Sequence, residues 1–133
     1  WLITQALKAG IRVIPVPGPS AVLAALSVSG LPTEPFLFQG FLPRQAAARR
    51  RLLETLSRER RTLVLFESPG RLLATLETIG TMFGRRRIVL AKNLTKPSEE
   101  LIRGTTAAVL RAVTSRPRDG DITLIIAGYR SRK

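Results

Sequence analysis

Ile11-Arg12-Val13-Ile14-Pro15-Val16-Pro17-Gly18-Pro19-Ser20-Ala21 is the stretch whose reading decides the architecture. Its apolar residues Ile11, Val13, Ile14 and Val16 predict a short buried strand over 11–16. Pro17 has no N–H to give a neighbouring strand, so it ends the run. Gly18 turns the backbone where a Cβ would clash, and it permits close approach to a ligand. Pro19 suits the first turn of a helix, which is predicted over 19–29 and closed by Gly30. The N–H groups of Ser20 and Ala21 then lie unpaired at the helix start, beside the Ser20 hydroxyl. A strand end that runs into a helix N-terminus is where open α/β sheets hold ligands. On this motif alone, a stiff turn without a ligand is the competing reading.

Upstream, Leu2, Ile3, Ala6 and Leu7 predict a helix over 1–9, with Gly10 as its stop. The chain opens at Trp1 inside that helix, so more chain is expected before it. Downstream, Leu31-Pro32-Thr33-Glu34-Pro35 reads as a rigid connector. It suggests that residues 1–33 are the tail of a preceding domain with its linker. Residues 34–133 are then a domain of their own.

That domain reads as α/β. Phe36 to Leu42 predicts a strand with a possible bulge at Gly40. Residues 44–58 predict a helix with Leu52, Leu53 and Leu56 inward. Thr62 to Phe66 is an apolar run that suits a central strand. Ser68-Pro69 caps a helix running to Phe83, with Leu72, Leu76, Ile79 and Phe83 on one face. Ile88 to Ala91, Glu99 to Arg103 and Asp121 to Ala127 predict three more strands. A helix starting at Gly104-Thr105 precedes the last of them, with Thr106, Leu110 and Val113 on one face. The sum is about five strands and three helices after Pro35. Three strand-end loops carry polar interest: Pro17 to Ala21, Glu67-Ser68 and Lys92 to Lys96. On one edge of the sheet they would frame one pocket.

Composition narrows the chemistry. The 133 residues contain neither Cys nor His, which excludes Cys–His and Ser–His catalysis, disulfides and Cys/His zinc sites. The carboxylates show no metal-ligand spacing, and there is no P-loop or Rossmann fingerprint. No apolar run approaches the roughly 20 residues of a membrane span. The net charge is +13, from 22 Lys and Arg against nine Asp and Glu. That excess predicts a polyanionic partner such as nucleic acid, with general solubility as the plainer reading. The densest basic patch is the helix that carries Arg44, Arg49, Arg50, Arg51 and Arg58. Glu67 closes an apolar strand, and either pairs with Arg71 or faces a ligand. Lys96 is either a solvated loop cation or a group near a reacting centre, and acts as a base only if its surroundings lower its pKa.

Ile14-Pro15-Val16-Pro17-Gly18-Pro19-Ser20-Ala21 and Leu26-Ser27-Val28-Ser29-Gly30-Leu31-Pro32 resemble the ribosomal RNA small subunit methyltransferase I family. So do Gly40-Phe41-Leu42-Pro43-Arg44, Phe66-Glu67-Ser68-Pro69, Ala91 to Lys96, and Glu100-Leu101-Ile102-Arg103-Gly104. These motifs span nearly the whole chain in the family's order. The resemblance implies a tetrapyrrole methylase-like C-terminal domain, with about five strands in a mixed sheet and flanking helices. It further implies a two-domain cytoplasmic enzyme, usually a homodimer, that uses S-adenosyl-L-methionine. Its reaction is methylation of the ribose 2′-hydroxyl of a cytidine in small-subunit (16S) ribosomal RNA.

By position, Pro17, Gly18, Ser20 and Ala21 then correspond to the first cofactor-binding loop. Glu67, Ser68, Asn93, Leu94 and Thr95 correspond to the two later ones. Arg44, Arg49, Arg50, Arg51 and Lys92 are the candidates for RNA phosphates, and Lys96 is the candidate nearest the chemistry. No metal and no membrane are expected. Without its upstream domain the chain is expected to bind cofactor poorly and turn over little. Two alternatives stand: a precorrin or uroporphyrinogen methylase, and a non-enzymatic basic RNA-binding module. Only 5% of residues are aromatic, which argues against base-stacking recognition of single strands.

Overall fold

The computed structural model describes residues 1–116 and 119–130. The tail residues Ser131 to Lys133 fall outside them. Among the described residues, five strands form one mixed sheet: β1 (Phe36–Phe41), β2 (Thr62–Glu67), β3 (Arg87–Lys92), β4 (Glu100–Thr105) and β5 (Ile122–Ile126). Their order across the sheet is β1-β2-β5-β3-β4. β1 and β2 run parallel, joined through helix α3 (Ala46–Leu56). The other three pairings are antiparallel.

Period-two alternation decides which helix covers which face. Leu63, Leu65, Ile88, Leu90, Ile122, Leu124 and Ile126 point to one side. There they pack against Leu53 and Leu56 of α3, Leu72, Leu76, Ile79 and Phe83 of α4 (Leu72–Phe83), and Val109 and Val113 of α5 (Thr106–Thr114). Val64, Val89, Ala91 and Ile125 point to the other side, onto Ala25 and Leu26 of α2 (Ala21–Ser29) and Leu31. Truncating any of these closely packed leucines to Ala would cost about 2–5 kcal/mol.

Most predicted elements form. The β1 register shifts between Phe38 and Gly40, and Gly40 has φ 71°, so the expected bulge is present. Ser20 caps α2, its Oγ accepting from the Leu23 amide at 3.4 Å, and Gly30 closes the helix in the left-handed region. Three expectations are corrected. First, residues 11–16 form no strand. They lie exposed, Val16 at 88%, because no segment among the described residues pairs with them. Second, a single 3₁₀ turn, Pro69–Arg71, separates Ser68 from α4. Third, Gly104 and Thr105 end β4; Thr105 caps α5 by accepting from the Ala108 amide. Helix α1 (Leu2–Lys8) has no buried residue.

The registers place the C-terminal ends of β1, β2 and β3 on one edge. Phe41 lies beside Phe66, while Glu67 and Lys92 both face Ile122 at the start of β5. The starts of β2 and β3, and the end of β5, form the opposite edge.

Candidate functional site

On the first edge the strand ends enclose a cleft of about 450 Å³. Its walls include Ala21 from α2, Glu67 and Ser68 after β2, Leu94 after β3, and Gly120 and Asp121 before β5. All three predicted loops therefore reach one rim. Phe41 and Phe66 add an aromatic wall, their rings 5.5 Å apart. Phe41 is 62% exposed, a large apolar cost unless something covers it. Pro17, Gly18 and Ser20 do not line the cleft, and neither do Asn93 and Thr95.

Glu67 is buried, yet its carboxylate is fully partnered. Oε1 accepts from the Ser68 amide at 2.7 Å and from Arg71 Nη2 at 2.8 Å. Oε2 accepts from the Thr75 hydroxyl at 2.6 Å. Of the two readings of Glu67, the structure shows the pair with Arg71: the side chain is buried, and the residue borders the cleft without its carboxylate being free to face it. Arg71 also donates to the Ser68 hydroxyl at 2.9 Å and to the Leu42 carbonyl at 3.1 Å. One guanidinium thus ties the end of β1 to the end of β2. Through these contacts the pair holds the Ser68 loop against the end of β1.

Asn93 is a brace rather than a wall. It sits at φ 50°, which Asn tolerates better than most residues. Its Oδ1 accepts from the Asp121 amide at 2.9 Å, and its own amide donates to the Asp121 carbonyl at 2.9 Å. Its Nδ2 donates to Ser98 at 3.0 Å. The turn at Gly120 and Asp121 is fixed this way. Thr95, also left-handed at φ 66°, donates its amide N–H to Glu99 Oε2 at 2.6 Å. Lys96 stands at the rim, where its Nζ meets Asp121 Oδ2 at 2.5 Å.

The basic candidates divide. Arg44, Arg50 and Arg51 are exposed at the start of α3 and along it. Arg49 is only 9% exposed, and its Nη1 donates to the Arg44 carbonyl at 3.3 Å. It turns inward because it shares the helix face of Leu53 and Leu56. Lys92 is half-buried and pairs with Asp119, whose carboxyl it holds below the usual range through a direct hydrogen bond. Among the described residues no group of three or more Asp and Glu side chains could hold a metal. None of the described helices is long and apolar enough to cross a membrane. Phe41, Gly120 and Asp121 were not singled out from the sequence; the Asp119-Gly120 turn before an apolar strand was the signal for the last two.

The family model described as Tetrapyrrole (Corrin/Porphyrin) Methylases matches residues 1–110. The chain belongs to that family. Among tetrapyrrole methylases it is similar to a Ribosomal RNA small subunit methyltransferase I of Xylella fastidiosa, 46% identical over 130 residues. That match covers 96% of this chain and 48% of the relative. The protein of the same name from Mycobacterium tuberculosis is 44% identical over 128 residues, covering 96% and 45%. The chain therefore spans about half the length of the curated relatives it matches. Solved structures share the fold. The methyltransferase CobJ superposes with TM-score 0.67 at 20% identity, covering 99% of this chain and 57% of that one. Uroporphyrin-III C-methyl transferase from Thermus thermophilus, complexed with S-adenyl homocysteine, gives TM-score 0.56 at 20% identity, covering 94% and 57%.

Proposed function

We propose that this chain forms the C-terminal part of an S-adenosyl-L-methionine-dependent methyltransferase. Its substrate would be the ribose 2′-hydroxyl of a cytidine in small-subunit (16S) ribosomal RNA. Residues 1–33 are then the tail of a preceding domain with its linker, and residues 34–133 the C-terminal domain. The observation that carries the reading is the convergence of Ala21, Glu67, Ser68 and Leu94 on one cleft. The name shared by the relatives at 46% and 44% identity supports the RNA substrate.

The lining fits a nucleoside cofactor. A volume of about 450 Å³ falls in the range of small-molecule sites. The α2 N-terminus brings N–H donors without helical partners, Ser68 and Thr123 bring hydroxyls, and Phe41 and Phe66 offer apolar faces. When bound, S-adenosyl-L-methionine supplies a methyl group on a sulfonium centre, so this chain needs no nucleophile of its own. Its task is alignment and exclusion of water. Glu67 and Arg71 set the Ser68 loop, Asn93 sets the Asp121 loop, and Arg44, Arg50 and Arg51 hold RNA phosphates. Lys96, paired to Asp121 at the rim, is the cation of this chain nearest the reacting hydroxyl.

The chain also presents an apolar surface through Trp1, Leu2, Ile3, Leu7, Ile11 and Ile14. This supports a preceding domain or a second copy in a cytoplasmic homodimer as its cover. Calorimetry with S-adenosylhomocysteine tests the cofactor reading, on this chain and on the chain joined to such a domain. Binding should be poor and turnover low for the chain alone, and both should be restored by the joined domain. No binding in either form would overturn the reading.

A further inference from the structure

The opposite edge of the sheet carries a second cavity, of about 710 Å³. Arg60, Arg85, Arg86, Arg87 and Arg130 line it, with Glu34 as the one carboxylate among its described lining residues. Cations gathered this closely repel one another unless an anion sits among them. Four of them are exposed, but Arg86 is only 8% exposed. Its guanidinium lies 4.6 Å from the Phe83 ring and 5.4 Å from the Tyr129 ring. Nη2 donates to the Ser57 carbonyl. Nε and Nη1 are buried and have no acceptor among the described residues. Buried donors of a charged group are costly to leave unpaired. Burial also pushes the Arg86 guanidinium below its ordinary value. Two orphan donors beside a cation-lined cavity call for an anionic acceptor.

Helix α3 links this cavity to the cleft. Arg44 follows β1 at the cleft edge, Arg50 and Arg51 are exposed along the helix, and Arg58 and Arg60 follow its far end. Eleven residues of helix span about 17 Å, the length of the sheet it crosses. Exposed cations therefore run from one edge to the other, which suits a chain of phosphates better than a single small anion.

We propose that the cavity lined by Arg60, Arg85, Arg86 and Arg87 binds a backbone phosphate of the substrate RNA. The strand would be anchored there one sheet-length from the cleft where its ribose reacts. This rests on the reading of RNA as the substrate. Arg86 is the buried anchor, and Arg85 and Arg87 form the rim.

The test uses the 133-residue chain and a fluorescein-labelled ribosomal RNA hairpin, read by anisotropy across a salt series. The exposed pair Arg85→Ala/Arg87→Ala leaves the core untouched and should weaken binding about 10-fold. It should also lower the slope of log affinity against log salt by about one to two. The charge-matched pair Lys8→Ala/Arg12→Ala, outside the cavity, should change affinity far less. In a second arm, inorganic phosphate should raise the melting temperature of the wild type but not of Arg86→Met, and should compete with the hairpin. Equal weakening by both pairs would mean diffuse attraction and overturn the cavity alone. A wild type that binds no hairpin overturns the RNA reading as well. If phosphate still stabilises that wild type through Arg86, the cavity serves a phosphorylated small molecule instead.

Discussion

The Thr75 hydroxyl donates to the buried Glu67 carboxylate at 2.6 Å, joining α4 to the end of β2 beneath the cleft. Glu67 belongs to the strand face that α4 covers, so its side chain enters the core side of the sheet. The carboxylate is tolerated there because the Ser68 amide, Arg71 and Thr75 all point at it. Thr75→Val keeps the shape and removes one donor to a charged group. Urea denaturation should show a loss of about 1.5–3 kcal/mol. Thr75→Ser should lose less than half of that. A neutral Thr75→Val would mean that the network does not carry the Ser68 loop.

Asn93 braces the other wall of the cleft. Asn93→Ala removes the acceptor of the Asp121 amide and places a residue less tolerant of φ 50° in the turn. A loss of about 1–3 kcal/mol is expected, with faster hydrogen exchange at Asp121. Unchanged exchange there would show that the turn holds without Asn93.

Gly128 lies where a Cβ would collide with the Arg60 carbonyl oxygen, and it would stand 3.1 Å from the Arg61 oxygen. These are backbone atoms and cannot swing away. Gly128→Ala should cost about 2–3 kcal/mol in a thermal or urea melt. At Gly70 nothing lies within 4 Å, so Gly70→Ala should fall between neutral and about 1 kcal/mol stabilising. Equal effects at the two positions would contradict the close approach at Gly128.

Glu59 gives the fold a pH dependence of definite sign. Arg61 donates to its carboxylate from Nε at 2.9 Å and from Nη2 at 2.8 Å, holding the pKa at about 2 against an ordinary 4.5. A carboxyl held low in the folded state stabilises above its unfolded pKa. That contribution should fade as pH drops from about 4.5 towards about 2. The melting temperature of Glu59→Gln should therefore fall less steeply than that of the wild type over this window. The difference should shrink in high salt, because the pair is near the surface. Parallel curves would rule the pair out as a source of acid sensitivity.

Much of the fold was legible because its signals are local. The runs at Thr62 to Phe66, Ile88 to Ala91 and Ile122 to Ile126 alternate or saturate with apolar residues, as strands between two covered faces must. Ser20 and Gly30 mark the ends of α2 through their own backbone preferences. Leu72, Leu76, Ile79 and Phe83 repeat at helical spacing and do line one buried face. The loops after β2 and β3 could be singled out because polar residues follow apolar runs abruptly. The run at 11–16 misled, because an apolar strand pattern says nothing about whether a partner strand is present. Arg49 misled too, and Arg86 carried no signal of its own. In a list of cations they look like their neighbours, and burial separates them only through the residues they meet in space.

From the order of residues alone came the α/β class, the strand and helix positions after Pro35, and the three loops of polar character. Those features depend on propensity and spacing within a few residues. The tertiary structure alone decided that β5 lies between β2 and β3, that Phe41, Gly120 and Asp121 complete the cleft, and that five arginines meet at the far edge. Each depends on which distant segments pair, and pairing is settled by the collective burial of the whole sheet, not by any one stretch of chain.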